Sequence, residues 1–126
     1  MAWKQDVIRD LLDSGHISKA AIFSLKGDVL AASPGFDISF DERMAVTEGF
    51  ISPVGLQASG IRVAGKKYFA VGADERSLHG KQGHEGVILV KTNTAVLVGV
   101  YVSPTQPGDA DKTVQNLAQH LISQDH

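Results

Sequence analysis

From Ala73 to Thr92 the chain reads ADERSLHGKQGHEGVILVKT, and this stretch restricts the fold more than any other. It sets a glycine-punctuated basic turn, Gly80-Lys81-Gln82-Gly83, directly before Gly86–Lys91, a valine-rich run suited to a central strand. A second such run, Ala95–Val102, follows across Thr92-Asn93-Thr94, so the two predict a β-hairpin. Pro104 and Pro107 end the sheet. An amphipathic helix then closes the chain, with Val114, Leu117, Ala118, Leu121 and Ile122 on one stripe and Lys112, Gln115, Asn116, Gln119 and Ser123 opposite. Gly108 or Asp109 is expected to cap that helix, and Asp109 and Asp111 suit its positive end.

The preceding residues supply the other elements. Trp3, Val7, Ile8, Leu11 and Leu12 fall at helical spacing over Ala2–Asp13, and Ser14-Gly15 ends that helix. Ala20–Leu25 and Asp28–Ser33 form a hairpin around Lys26-Gly27, and Gly60–Val63 and Lys67–Ala73 another around Ala64-Gly65. Ser39 followed by Glu42 is a capping-box pattern that opens a helix to about Phe50, with Met44 and Val46 available for packing. Pro53 and Gly55 mark a turn or a short second helix. Hairpins with helices at both ends predict an antiparallel α+β fold. The 126 residues, 43% hydrophobic, are enough for one domain with its own core. Each terminal helix must bury a stripe, and laying them side by side on one sheet face does so economically.

The chain has no cysteine, so it carries neither a disulfide framework nor a thiolate site, in keeping with a reducing compartment. Lys4, Asp6, Arg9 and Asp10 interrupt the first apolar pattern, leaving no signal-peptide core. Ala95–Val102 is too short to cross a bilayer as a helix. A soluble, cytoplasmic protein is expected. The net charge of −2 hides an asymmetry: Arg62, Lys66, Lys67, Arg76, Lys81 and Lys91 face only Asp74, Glu75 and Glu85 in the same span. Such a local positive field attracts an acidic partner, unless it is an ordinary solvated sheet face. Nucleic acid fits poorly, because the basic residues are few and hardly interleave with aromatic ones. His79 and His84 match no standard metal spacing, and only Glu85 stands near as a third ligand. Gly80, Gly83 and Gly86 lead into a strand rather than a helix, and Lys81 is followed by Gln82, so no phosphate loop forms. Nucleophile-elbow, zincin and paired-carboxylate patterns are missing. No enzymatic activity, metal or cofactor is expected.

The order and spacing of these segments resemble the profilins over nearly the whole chain. The likeness runs through Ala2-Trp3, Ala20-Ala21-Ile22, Gly27 and Ala32-Ser33-Pro34-Gly35-Phe36. It is densest at Ala73-Asp74, Gly80-Lys81, Gly86-Val87 and Val90-Lys91-Thr92, and resumes at Leu97–Tyr101, Pro107-Gly108 and Leu117–Ile122. The resemblance implies a central antiparallel sheet of six or seven strands, the terminal helices on one face and shorter helices on the other. It implies a monomeric protein of the actin cytoskeleton that binds monomeric actin, limits nucleation and releases actin at the fast-growing filament end. It also implies binding to proline-rich proteins such as formins and to acidic phosphoinositides; any metal or nucleotide in the complex would be actin's own.

The positions matching the family's actin contacts are Lys67, His79, Lys81, Gln106, Pro107, Gly108, Asp111, Lys112, Gln115 and Asn116. Gly72 stands where many profilins have an arginine, which removes one cationic contact. The aromatic proline groove is matched by Trp3, and in part by His120 and Leu121. Asp6 replaces a usual tyrosine, Leu30 a frequent tryptophan and His126 a common terminal aromatic. Losing an aromatic anchor costs on the order of 1–2 kcal/mol, so weak or altered proline recognition is expected. Lys66, Lys67, Arg76, Lys81 and Lys91 are the expected phosphoinositide patch, overlapping the actin surface. The competing reading is a dimerising scaffold of the roadblock type, whose helix–strand–strand–helix–strand order also fits the first half of the chain.

Overall fold

The computed structural model describes residues 3–124, the side chains of residues 3, 4 and 56–58 excepted. The elements run α1 (Trp3–Asp13), β1 (Lys19–Ser24), β2 (Val29–Ala32), α2 (Phe40–Ile51), α3 (Pro53–Ser59), β3 (Ile61–Val63), β4 (Lys66–Ala73), β5 (Ser77–Gln82), β6 (Glu85–Lys91), β7 (Ala95–Val102) and α4 (Pro107–Ser123). Among the described residues the strands make one seven-stranded antiparallel sheet, β2-β1-β7-β6-β5-β4-β3. Every neighbouring pair is a hairpin except β1 with β7.

The unbroken apolar runs of β6 and β7 follow from their being covered on both faces, which removes the polar alternation of a half-exposed strand. Ile88, Val90, Leu97 and Tyr101 turn toward α1 and α4. Val87, Leu89, Val98 and Val100 turn toward Val46 and Phe50 of α2. Val7, Ile8 and Leu11 of α1 share one core with Ala110, Val114, Ala118 and Leu121 of α4, the side-by-side packing that their two stripes require. Each large aliphatic side chain buried there contributes roughly 1.5–3 kcal/mol.

The capping box of α2 forms in both directions: the Glu42 amide donates to Ser39 Oγ at 3.2 Å, and the Ser39 amide to Glu42 Oε1 at 2.9 Å. Val46 enters the core, whereas Met44 stays at the rim. Two local expectations are corrected. Gly80-Lys81-Gln82 is not a turn but the end of strand β5; only Gly83 of that group takes a positive φ, 59°. Gly80 is small for a different reason, since a Cβ there would lie 2.7 Å from Tyr68 Cβ and 2.9 Å from Val87 Cγ1. The N-cap of α4 is Gln106 rather than Gly108 or Asp109, and no side chain caps it. Pro107 opens the helix, where its missing N–H is no loss.

Candidate docking surface

Strand register decides which side chains share the face that carries α1 and α4. His79 lies opposite Ile88, and Lys81 opposite Gly86, so both point to that face. Phe69 lies opposite Lys81, and Lys67, two residues before it, opposite Arg62. The cores built by α1 and α4 draw on β1, β2, β6 and β7 but on no residue of β3, β4 or β5. On the bare half Phe69 is 68% exposed, and Val71, at the bulge of β4, is 67% exposed. The surface therefore combines Lys67 and Lys81 with a large uncovered aromatic ring.

One edge of α4 borders this half. Gln115 Nε2 donates to Ser77 Oγ at 2.7 Å and to Asp111 Oδ1 at 3.2 Å. His79 Nε2 lies 3.6 Å from Asp111 Oδ1, an ion pair only when His79 carries a proton. Helix and strand thus run in opposite directions, Ser77 beside Gln115 and His79 beside Asp111. Four helical residues advance about 6 Å and two strand residues about 6.6 Å, so the next step brings Lys81 level with Pro107. Beyond Gln115 and Asp111, the exposed Lys112 and Asn116 continue that edge, and Gln106, Pro107 and Gly108 form an exposed corner at its end. The ten positions nominated for actin are therefore set along β4, β5 and the adjoining flank of α4.

The centre of this arrangement is the ring of Tyr101. It lies across Gly86, where any Cβ would collide with Tyr101 Cζ and Oη. Lys81 Nζ sits 5.5 Å from the ring centroid, a cation–π contact that restrains the ammonium. Burial, and then the charge of Asp111, push the Tyr101 phenol above its ordinary value, so it stays protonated.

The five basic residues nominated for phosphoinositides do not share one face. Lys67 and Lys81 share the open half. Lys66 turns to the opposite face, where its Nζ lies 2.8 Å from Glu85 Oε1. Tyr68 Oη donates to Glu85 Oε2 at 2.6 Å on that same face. Burial pushes the Glu85 carboxyl up, but the bonds from Lys66 and Tyr68 and the charges of Lys66 and Lys19 outweigh it and hold the group below its ordinary value. Burial and Glu85 raise Tyr68 far above a free phenol. Lys91, one residue beyond Val90, alternates to the Glu85 face, and Arg76 occupies the β4–β5 turn. The same register puts His79 and Glu85 on opposite faces of the sheet, so the two do not converge with His84 on one site. An open cavity of about 870 Å³ instead lies between α2, α3 and β3, walled in part by Ala45, Glu48, Gly49 and Arg62.

Of the proline-groove positions, Trp3 opens α1, with its side chain outside the described residues, as is all of His126. Asp6 is held by Arg9 at 2.9 Å. Leu30 packs beside the terminal-helix core, and His120 is exposed. Leu121 is only 2% exposed, so it supports that region rather than touching a ligand. Phe69 and Val71 were absent from the sequence-based set. Tyr68–Val71 reads as one apolar run, yet strict alternation from the outward Lys67 marks Phe69 as outward too.

A family model described as Profilin matches residues 1–126. Profilin-2 of Acanthamoeba castellanii is 39% identical over 124 residues, covering 98% of each chain. The Schizosaccharomyces pombe profilin is 42% identical over 123 residues, covering 97% of each. The crystal structure of A. castellanii profilin II matches with a TM-score of 0.93 at 38% identity, over 98% of this chain and 99% of that one. The complex of LokiProfilin2 with rabbit actin contains the same fold, with a TM-score of 0.80 at 22% identity over 98% of each chain.

Proposed function

The chain belongs to the profilin family of non-enzymatic actin-binding proteins, and on that premise we propose that it binds monomeric actin and regulates its polymerisation through the bare half of the sheet. One observation carries the reading: Lys67, Lys81 and the uncovered Phe69 share a face that continues onto the polar flank of α4. Charge there steers an acidic partner, and the ring supplies an apolar anchor once water is expelled. LokiProfilin2, of the same fold, is found in complex with actin. The roadblock alternative accounts for only the first half of the chain, whereas the profilin match covers all of it.

Titrating labelled actin monomers with the protein tests this. Lys81→Glu is expected to weaken binding about tenfold or more, or roughly 1.4 kcal/mol. Unchanged affinity in that variant would remove β5 from the contact.

Proline-rich ligands are bound weakly on this reading, because Asp6 is paired with Arg9 where an aromatic side chain is usual and Leu121 is buried. Micromolar binding of a polyproline peptide, followed by Trp3 fluorescence, would contradict it. Acidic headgroups meet Lys67 and Lys81 rather than Lys66, so lipid and actin compete. Profilins are soluble cytoplasmic proteins, and actin binding places this one at the actin cytoskeleton.

A further inference from the structure

Two adjacent residues in the first turn of α2 reach opposite edges of the sheet. Glu42 Oε1 accepts the Ala64 amide at 3.0 Å, and Oε2 accepts the Gly65 amide at 2.7 Å. Those residues are the β3–β4 turn, and with φ of 53° and 80° they direct consecutive N–H groups at the carboxylate. Arg43 reaches the other way. Its Nε donates to the carbonyl of Gly27 at 2.6 Å, in the β1–β2 turn, and its Nη1 donates to the carbonyl of Ile38. The Phe40 ring lies 5.7 Å from the guanidinium carbon. Strands β2 and β3 are the two free edges of the sheet. One helical turn therefore holds both edge hairpins, by hydrogen bonds in which one partner is charged, roughly twice as strong as neutral ones.

We propose that Glu42 and Arg43 are positioning residues that fix the two edge hairpins relative to each other. Through Glu42 they set the placement of Lys67 and Phe69 for the partner. The second statement rests on the reading that β4 meets actin. Neither residue lies on the docking face, so the effect on binding is indirect.

The experiment compares wild type, Glu42→Ala, Glu42→Gln, Ser39→Ala, Arg43→Lys and Lys67→Glu by amide NMR spectra and by actin titration. Glu42→Ala is expected to shift the Ala64, Gly65 and Lys67 resonances and to raise the actin Kd about fivefold, consistent with losing hydrogen bonds to a charged group. Glu42→Gln keeps one accepting oxygen and recovers part of that loss. Ser39→Ala removes the other half of the capping box and weakens α2 without touching the hairpin, so Ala64, Gly65 and the Kd stay as in wild type. Arg43→Lys shifts Gly27 and its neighbours. Equal loss of affinity in Ser39→Ala and Glu42→Ala would reduce Glu42 to a helix cap and overturn the proposal. Unmoved Ala64 and Gly65 resonances in both Glu42 variants would also overturn it. Should Lys67→Glu leave actin binding intact, the docking reading fails instead, and the hairpin resonances alone decide the positioning role. If Glu42→Ala does not fold, Glu42→Gln against Ser39→Ala makes the same comparison.

Discussion

The two halves of one sheet face are built from similar strands and put to different uses. Over β1, β6 and β7, α1 and α4 bury Leu11, Val114 and Leu121 against Ile88 and Leu97. Among the described residues that core takes nothing from β4 or β5: α4 only borders β5 at Ser77 and His79, and Phe69 and Val71 stand in solvent beside Lys67 and Lys81. The covered half supplies stability. The bare half keeps apolar surface available at little cost to folding, because β4 and β5 beneath it are paired on both sides and bury Tyr68 and Leu78 on the opposite face.

Four substitutions probe that separation. Leu11→Ala, at a fully buried position, is expected to destabilise the fold by about 3 kcal/mol, read by urea unfolding. Its actin affinity, corrected for the folded fraction, should be unchanged; a genuine loss of affinity would mean that the halves are not independent. Gly86→Ala tests their junction. A methyl group must displace Tyr101, so about 2 kcal/mol of stability should go together with actin binding, as Lys81 loses the ring that restrains it.

Phe69→Ser belongs to the bare half alone. Stability should stay within about 0.5 kcal/mol, while actin affinity falls about fivefold. A drop in melting temperature without a drop in affinity would assign Phe69 to packing instead.

The smallest effect lies on the opposite face. Glu85→Gln keeps the side-chain volume and an acceptor for Tyr68 but loses the charge that Lys66 meets. Because the folded carboxyl sits below the ordinary 4.5, the wild-type advantage is complete above that pH and is lost as the pH falls through the lowered folded value. With Lys66 partly exposed, the advantage should be under about 1 kcal/mol. An advantage that grew on acidification would reverse the assignment.

Much of this division could be read before any coordinates, where a local pattern governs a local outcome. The stripes of α1 and α4, the capping box at Ser39 and Glu42, and the hairpins around Lys26-Gly27 and Ala64-Gly65 all form. Strand β5 was hidden because Gly80 and Gly83 look alike in sequence. One meets Tyr68 and Val87 across the sheet, and the other makes the turn; only tertiary packing tells them apart. The actin positions came with the family pattern, but the separation of Lys66 from Lys67 was hidden because the expected strand began at Lys67; β4 begins at Lys66, so the two alternate to opposite faces. Glu42 and Arg43 were legible as capping-helix residues, not as ties to Ala64 and Gly27, because those contacts span 22 and 16 positions along the chain.

The seam between β1 and β7 has a kinetic consequence. Five of the six strand junctions are formed by segments consecutive along the polypeptide, but Ala21 must wait for Val98. On a translating ribosome the β3–β6 meander can begin to pair while the N-terminal hairpin still lacks its template. Closure of this long loop is the topologically slow step, so lengthening the α2–α3 connection should lower stability almost entirely by slowing refolding, with the unfolding rate left unchanged.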